Sequence, residues 1–297
     1  MSSREMLVFL AAVLCCLVAS TTSAKDNSPR QHLDLLYRPD AATPYEQEQC
    51  RLDLYLPKTG DSFATLLWVH GGGIQADSSP PNGKRDDIAM RVVSTFVRQG
   101  YAVASVEYRM SPRVHYPEYV DDIAAALAYV HQHIAEHGGD PDRLFLAGHS
   151  AGGYLVAMVA VDRPRLKQLG VDADCIAGCM PISGQMITHS TVRGEEGTPR
   201  TRPVVDARSP LGNVDQRLPA FLCIVGNRDL PLRSLENEYF VAAVKNTGHR
   251  DATFLEVKDR DHSTIASRID QEGDQVAAAM QEFMSRRMKE LSDAGDR

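Results

Sequence analysis

The chain has 297 residues, 43% hydrophobic and 24% charged, which is enough apolar material for one large core and unlike a disordered or fibrous sequence. Its formal net charge of -7 argues against a nucleic-acid partner, because phosphate binding needs a surplus of clustered Lys and Arg. Neutral or weakly charged small molecules are the expected ligands.

In chain order, Arg4, an apolar run over residues 6–18 and the small residues Thr22-Ser23-Ala24 predict a signal peptide over residues 1–24. The run is shorter than the roughly 18 apolar residues that span a bilayer, so no stable membrane span is expected after cleavage. Export to a secreted or periplasmic location is the expectation, with an uncleaved N-terminal anchor as the lesser reading. Of the six cysteines, Cys50, Cys175, Cys179 and Cys223 remain in the mature chain. In an extended strand Cys175 and Cys179 stand about 13 Å apart, beyond the roughly 7 Å that a disulfide tolerates, so those two should not pair. No zinc-site spacing is present, and buried thiols are expected.

Strand-length apolar runs fall at residues 51–56, 64–70, 101–107, 143–148, 175–181, 220–226 and 253–257, each ending near Gly, Pro or a polar residue. Helical periodicity marks residues 86–99, 120–137, 152–161, 235–247 and 271–291. This alternation predicts one α/β domain over residues 25–297, a mostly parallel twisted sheet with helices on both faces. Residues 183–215, rich in Gly, Thr, Pro and Arg, read as a loop-rich insertion near the active site.

Three loops carry the chemistry. Gly148-His149-Ser150-Ala151-Gly152 is a G-x-S-x-G pentapeptide between an apolar strand and an apolar helix. On so sharp a turn, side chains two residues either side of the serine would collide, so Gly148 and Gly152 are sterically required. The following helix start, at Ala151, points unpaired N–H groups toward developing negative charge. His70-Gly71-Gly72-Gly73 follows the strand at 64–70, where glycine backbone N–H groups can complete an oxyanion hole; Gly71, Gly72 and Ala151 are the candidate donors. Asp229 follows the strand at 220–226 and His262 the strand at 253–257, in the chain order Ser, Asp, His that such a sheet demands. Alone, each is weak: turn aspartates usually serve the turn, and loop histidines are usually solvated. Asp259 and Asp261 are rivals to Asp229, but a neighbour in sequence is badly placed to orient the ring.

The HGGG run, Tyr108-Arg109-Met110-Ser111-Pro112 with Tyr116-Pro117-Glu118 and Asp121-Asp122, and the run GGDPDRLFLAGHSAGG together resemble one family. They are similar to α/β-hydrolase esterases related to hormone-sensitive lipase and to bacterial feruloyl or acetyl esterases (BD-FAE-like), and to kynurenine formamidases. The resemblance implies the α/β-hydrolase fold, the triad Ser150, Asp229 and His262, and the oxyanion donors Gly71, Gly72 and Ala151. The polar segment 74–85 lacks the aromatic residue often found after HGGG in such relatives. The segment before Arg51 is too short for the helical cap of the lipase-like branch.

The expected function is therefore a serine carboxylic-ester hydrolase, acting through an acyl-enzyme on short-chain or carbohydrate-linked acetyl or feruloyl esters, with no metal or organic cofactor. An arylformamidase-type amide hydrolase and a catalytically inactive binding module on a hydrolase scaffold are the alternatives. His131, His133 and His137 read as a solvated helix face rather than ligands, and Asp121-Asp122 as a helix cap or a partner for Arg109.

Overall fold

The computed structural model describes residues 30–77 and 82–295; the predicted signal peptide over residues 1–24 lies outside them. Eight strands form one sheet: β1 Arg30–Leu36, β2 Arg51–Leu56, β3 Phe63–Val69, β4 Ala102–Val106, β5 Gly139–His149, β6 Ile176–Ile182, β7 Phe221–Arg228 and β8 Ala252–Asp261. Their spatial order is β1-β2-β4-β3-β5-β6-β7-β8. The pairs β1/β2 and β2/β4 are antiparallel, and every pairing from β4 to β8 is parallel.

The helices are α1 Pro44–Gln49, α2 Asp87–Arg98, α3 Glu118–His133, α4 Ala151–Val161, α5 Arg163–Gln168, α6 Ser190–Glu195, α7 Arg233–Asn246, α8 Thr264–Ser267 and α9 Gln275–Gly295. Parallel strands need crossovers, and these helices lie on both faces of the sheet. On one face α3, α4 and α7 pack through Ile123, Leu127, Leu155, Val159, Phe240 and Val244. On the other, α2 and α9 pack through Val92, Phe96, Val276, Met280 and Met284. Covered on both sides, β3, β4 and β6 are buried at every residue, which is why they read as unbroken apolar runs. All of α4 is buried as well, as its all-round apolar sequence requires.

Several boundaries differ from the sequence reading. β1 was not anticipated: RQHLDLL is mostly exposed on an antiparallel edge and shows no clean alternation. β7 and β8 run on to Arg228 and Asp261, so Asp229 and His262 stand immediately beyond strand ends instead of within longer loops. The helix expected over 120–137 ends at His133 and continues as a 3-10 turn, Ile134–His137, closed by Gly138 at φ 94°. Cys175 lies in a 3-10 turn before β6, and all four described cysteines are buried free thiols. Residues 183–215 hold α6 and a 3-10 turn, Leu211–Asn213, and bury Ser183, Thr188, His189 and Arg193. Among the described residues no helix is long and apolar enough to cross a membrane.

Candidate active site

The C-terminal ends of β3, β5, β6, β7 and β8 open on one rim, where open parallel sheets place their sites. Ser150 follows β5 and occupies φ 56°, ψ -114°, a conformation that L-residues rarely adopt. The close packing that holds it there explains the flanking glycines. A Cβ on Gly152 would stand 2.0 Å from the Val69 carbonyl oxygen, and one on Gly148 2.6 Å from the Gly152 carbonyl carbon.

This turn aims the serine across β6 and β7. Ser150 Oγ stands 2.8 Å from His262 Nε2, and His262 Nδ1 stands 2.7 Å from Asp229 Oδ1. A carboxylate only accepts, so the Nδ1 proton donates to Asp229 and Nε2 is left to accept from the serine hydroxyl. The Asp229 side chain is 2% exposed and that of His262 22%. Burial by itself would raise the Asp229 carboxyl, but donors from His262, the Ser183 hydroxyl and the Leu230 N–H outweigh it and hold the group below the usual carboxylate range. The rival acids are engaged elsewhere: Asp259 pairs with Arg228, and Asp261 accepts from the N–H of Thr264 at 2.8 Å at the start of α8.

Two further residues join the relay that the sequence did not single out. Ser183, just past β6 at φ 53°, donates to the second oxygen of Asp229. His149, inside the pentapeptide itself, puts Nε2 2.7 Å from the carbonyl oxygen of His262. The ring centroids of His149 and His262 are 5.0 Å apart. The only signals for them were their places at strand ends, beside Gly184 and Ser150.

The HGGG loop folds back over the same rim. A Cβ on Gly71 would come within 3.3 Å of Ser150 Cβ, and Gly72 and Gly73 take φ of 109° and 70°. Ala151 is fully buried as the first residue of α4. His70, 1% exposed, anchors the loop through Nε2 to Glu107 Oε1 at 2.8 Å and Nδ1 to the Gly71 carbonyl oxygen at 2.7 Å. Both partners only accept, so the ring carries both protons. Burial opposes that charge, but Glu107 overcomes it and raises the His70 pKa, while the pairing lowers that of Glu107. The segment from Tyr108 to Pro112 braces the loop from the other side. Tyr108 donates to the His70 carbonyl at 3.1 Å, and the Ser111 N–H to that of Ile74 at 3.0 Å. Arg109 is fixed in turn by Asp122, with Nη2 to Oδ1 at 2.7 Å and Nε to Oδ2 at 2.9 Å.

His133 bonds Glu136 at 3.0 Å, and His137 packs its ring on His32, so neither joins the site. Among the described residues no group of three or more His, Cys, Asp or Glu side chains is arranged to hold a metal ion.

A model of the BD-FAE family matches residues 52–179, which span the HGGG loop and the pentapeptide. Esterase LipQ of Mycobacterium tuberculosis is 30% identical over 76% of this chain and 56% of its own length. A probable isoprenylcysteine alpha-carbonyl methylesterase of Arabidopsis thaliana is 28% identical over 71% of this chain and 48% of its own. The chain thus spans about half the length of the curated relatives it matches. Among solved structures, a truncated carbohydrate esterase from gut microbiota superposes with a TM-score of 0.71 at 20% identity, covering 89% of this chain and 98% of that one. Esterase B of Lactobacillus rhamnosis gives 0.71 at 19% identity over 91% and 89%. The chain has the α/β-hydrolase fold, and in sequence it is similar to esterases of the BD-FAE type.

Proposed function

We propose that the chain is a serine carboxylic-ester hydrolase, and that it acts through an acyl-enzyme on short-chain or carbohydrate-linked esters. The observation that carries this reading is the unbroken relay from Ser150 Oγ through His262 to Asp229, at 2.8 and 2.7 Å. His262 takes the hydroxyl proton as Ser150 attacks the ester carbonyl, and Asp229 stabilises the imidazolium that results. The backbone N–H groups of Gly71, Gly72 and Ala151 receive the developing oxyanion, and the start of α4 adds its positive dipole end. His262 then returns the proton to the leaving alcohol and draws one from the water that releases the acyl group. The 1–24 segment supports export of the mature protein, where acylated polysaccharides are met.

A fluorophosphonate probe should label Ser150, and Ser150→Ala should abolish labelling and lower ester turnover by about 10⁴-fold or more while leaving the melting temperature near that of the unaltered chain. Undiminished hydrolysis by the alanine variant would refute the assignment.

A further inference from the structure

The overall charge of the sequence points away from anionic ligands, yet a buried cluster near Asp229 holds cations with unspent donors. Arg233, the first residue of α7, is 7% exposed, and its Nε and Nη1 have no hydrogen-bond partner. The carboxylate facing it, Glu236, lies 3.9 Å away, outside hydrogen-bond distance, and accepts instead from the N–H of Met186 at 3.3 Å. Arg193, on α6, is 4% exposed; Nη1 and Nη2 donate to the carbonyls of Thr188 and Arg200, and Nε has no partner. His189 accepts the N–H of Thr191 on Nδ1 at 3.2 Å, so its ring proton stands on Nε2 as another donor. Burial and the charges of Arg233, Arg193 and Arg200 push the His189 pKa down to about 3, which keeps that ring neutral.

The segments that supply this cluster adjoin or contact the relay and the HGGG loop. Arg233 is four positions beyond Asp229, and its charge acts on both Asp229 and His149. The His189 ring packs at 5.1 Å on that of Tyr154, one turn of α4 beyond Ser150. Thr191 Oγ1 donates to the Gly73 carbonyl at 2.5 Å, and the segment begins at Ser183, the partner of Asp229. Asp229 acts on Arg233 by its charge but spends its hydrogen bonds on His262, Ser183 and Leu230, so it leaves the donors of these cations unpaired.

Buried donors without partners are costly, and native proteins rarely keep several together without a use. A guanidinium pairs best with a planar carboxylate, and two guanidiniums against one Glu236 leave positive charge to spare. We propose that Arg233, Arg193 and His189 form a subsite for a carboxylate carried by the ester substrate. This rests on the ester-hydrolase reading and names a class of substrate for it.

Two matched pairs of esters test the proposal with the full chain. One places the charge on the acyl side: para-nitrophenyl valerate against the para-nitrophenyl monoester of glutaric acid. The other places it on the alcohol side: para-acetoxybenzamide against para-acetoxybenzoate. In at least one pair the charged ester should have the higher kcat/KM, and Arg233→Gln should lower the charged-to-neutral ratio by about tenfold or more. Should that variant not fold, glutarate must still inhibit hydrolysis of the neutral ester competitively in the unaltered enzyme, and glutaramide must not. Hydrolysis of both pairs without preference for the charged member overturns this subsite alone, whereas failure to hydrolyse any of the four overturns the esterase reading as well.

Discussion

His149 Nε2 stands 2.7 Å from the main-chain carbonyl oxygen of His262, so the residue preceding the nucleophile candidate holds the loop that carries the base candidate. A carbonyl only accepts, so Nε2 carries the proton. Burial and the nearby His262 push the His149 pKa down to about 4, and the ring stays neutral in ordinary buffers. His149→Phe keeps the ring volume but removes the donor. A displacement of the order of 1 Å at a reacting group costs about 100-fold, so steady-state kinetics on a neutral ester should show kcat lowered by about 10- to 100-fold with KM little changed. His149→Gln, which restores an N–H, should recover part of the loss; equal kcat in the Phe variant and the unaltered chain would remove His149 from the relay.

Ser183→Ala should weaken both the relay and the fold at low pH. A carboxylate whose folded pKa is depressed adds stability above its unfolded value of about 3.9, and that stability is lost as pH falls through the folded value. Without the Ser183 hydroxyl the depression shrinks, so acid unfolding followed by circular dichroism should begin at higher pH. A hydrogen bond to a charged group contributes about 1.5–3 kcal/mol. Urea titrations at neutral pH should show a loss in that range, accompanied by a fall in kcat.

Glu107→Gln tests the anchor under the HGGG loop. Removing one partner of a buried ion pair costs about 3–5 kcal/mol, which urea denaturation would measure. The Glu107 contribution, from a lowered pKa, is present above about pH 4.3 and lost as pH falls through the folded value. The His70 contribution, from a raised pKa, is present below about pH 6.5 and lost as pH rises through the folded value. The stability gap between the two proteins should therefore be widest between those limits and narrow toward alkaline pH. A gap independent of pH would contradict a doubly protonated His70.

Gly152→Ala should be among the most damaging single-methyl changes in the chain. The added carbon meets the Val69 carbonyl oxygen at 2.0 Å, a backbone atom with no flexible side chain to yield. Destabilisation of about 3 kcal/mol or more is expected by thermal or urea unfolding. A melting temperature equal to that of the unaltered protein would contradict the packing described for this turn.

The parallel core was readable because burial on both faces leaves long apolar runs, and Ser150 and Asp229 because each follows such a run; His262 follows β8, a partly exposed edge strand, and was placed by the chain order Ser, Asp, His. What escaped notice depends on partners distant in the chain. His149 meets a carbonyl 113 positions away, and Ser183 a carboxylate 46 away; no local pattern encodes either contact. β1 was missed because its exposed residues carry no periodic signal and pairing with β2 alone defines it. Residues 183–215 read as a loop-rich insertion, and their burial escaped notice because it involves Thr188, His189 and Arg193, residue types that composition places mostly outside the core.

The order of the strands sets the span that one imidazole must close. β6 and β7 lie between β5, which ends one residue before the serine, and β8, which ends one residue before the histidine, so the two termini are separated by three interstrand spacings, about 14 Å. The turn after β5 and the loop after β8 lean toward each other across that width, and Ser183 after β6 and Asp229 after β7 meet them midway. Four strands thus act as a single caliper, and any slip in twist or register among them parts the jaws long before the core dissolves.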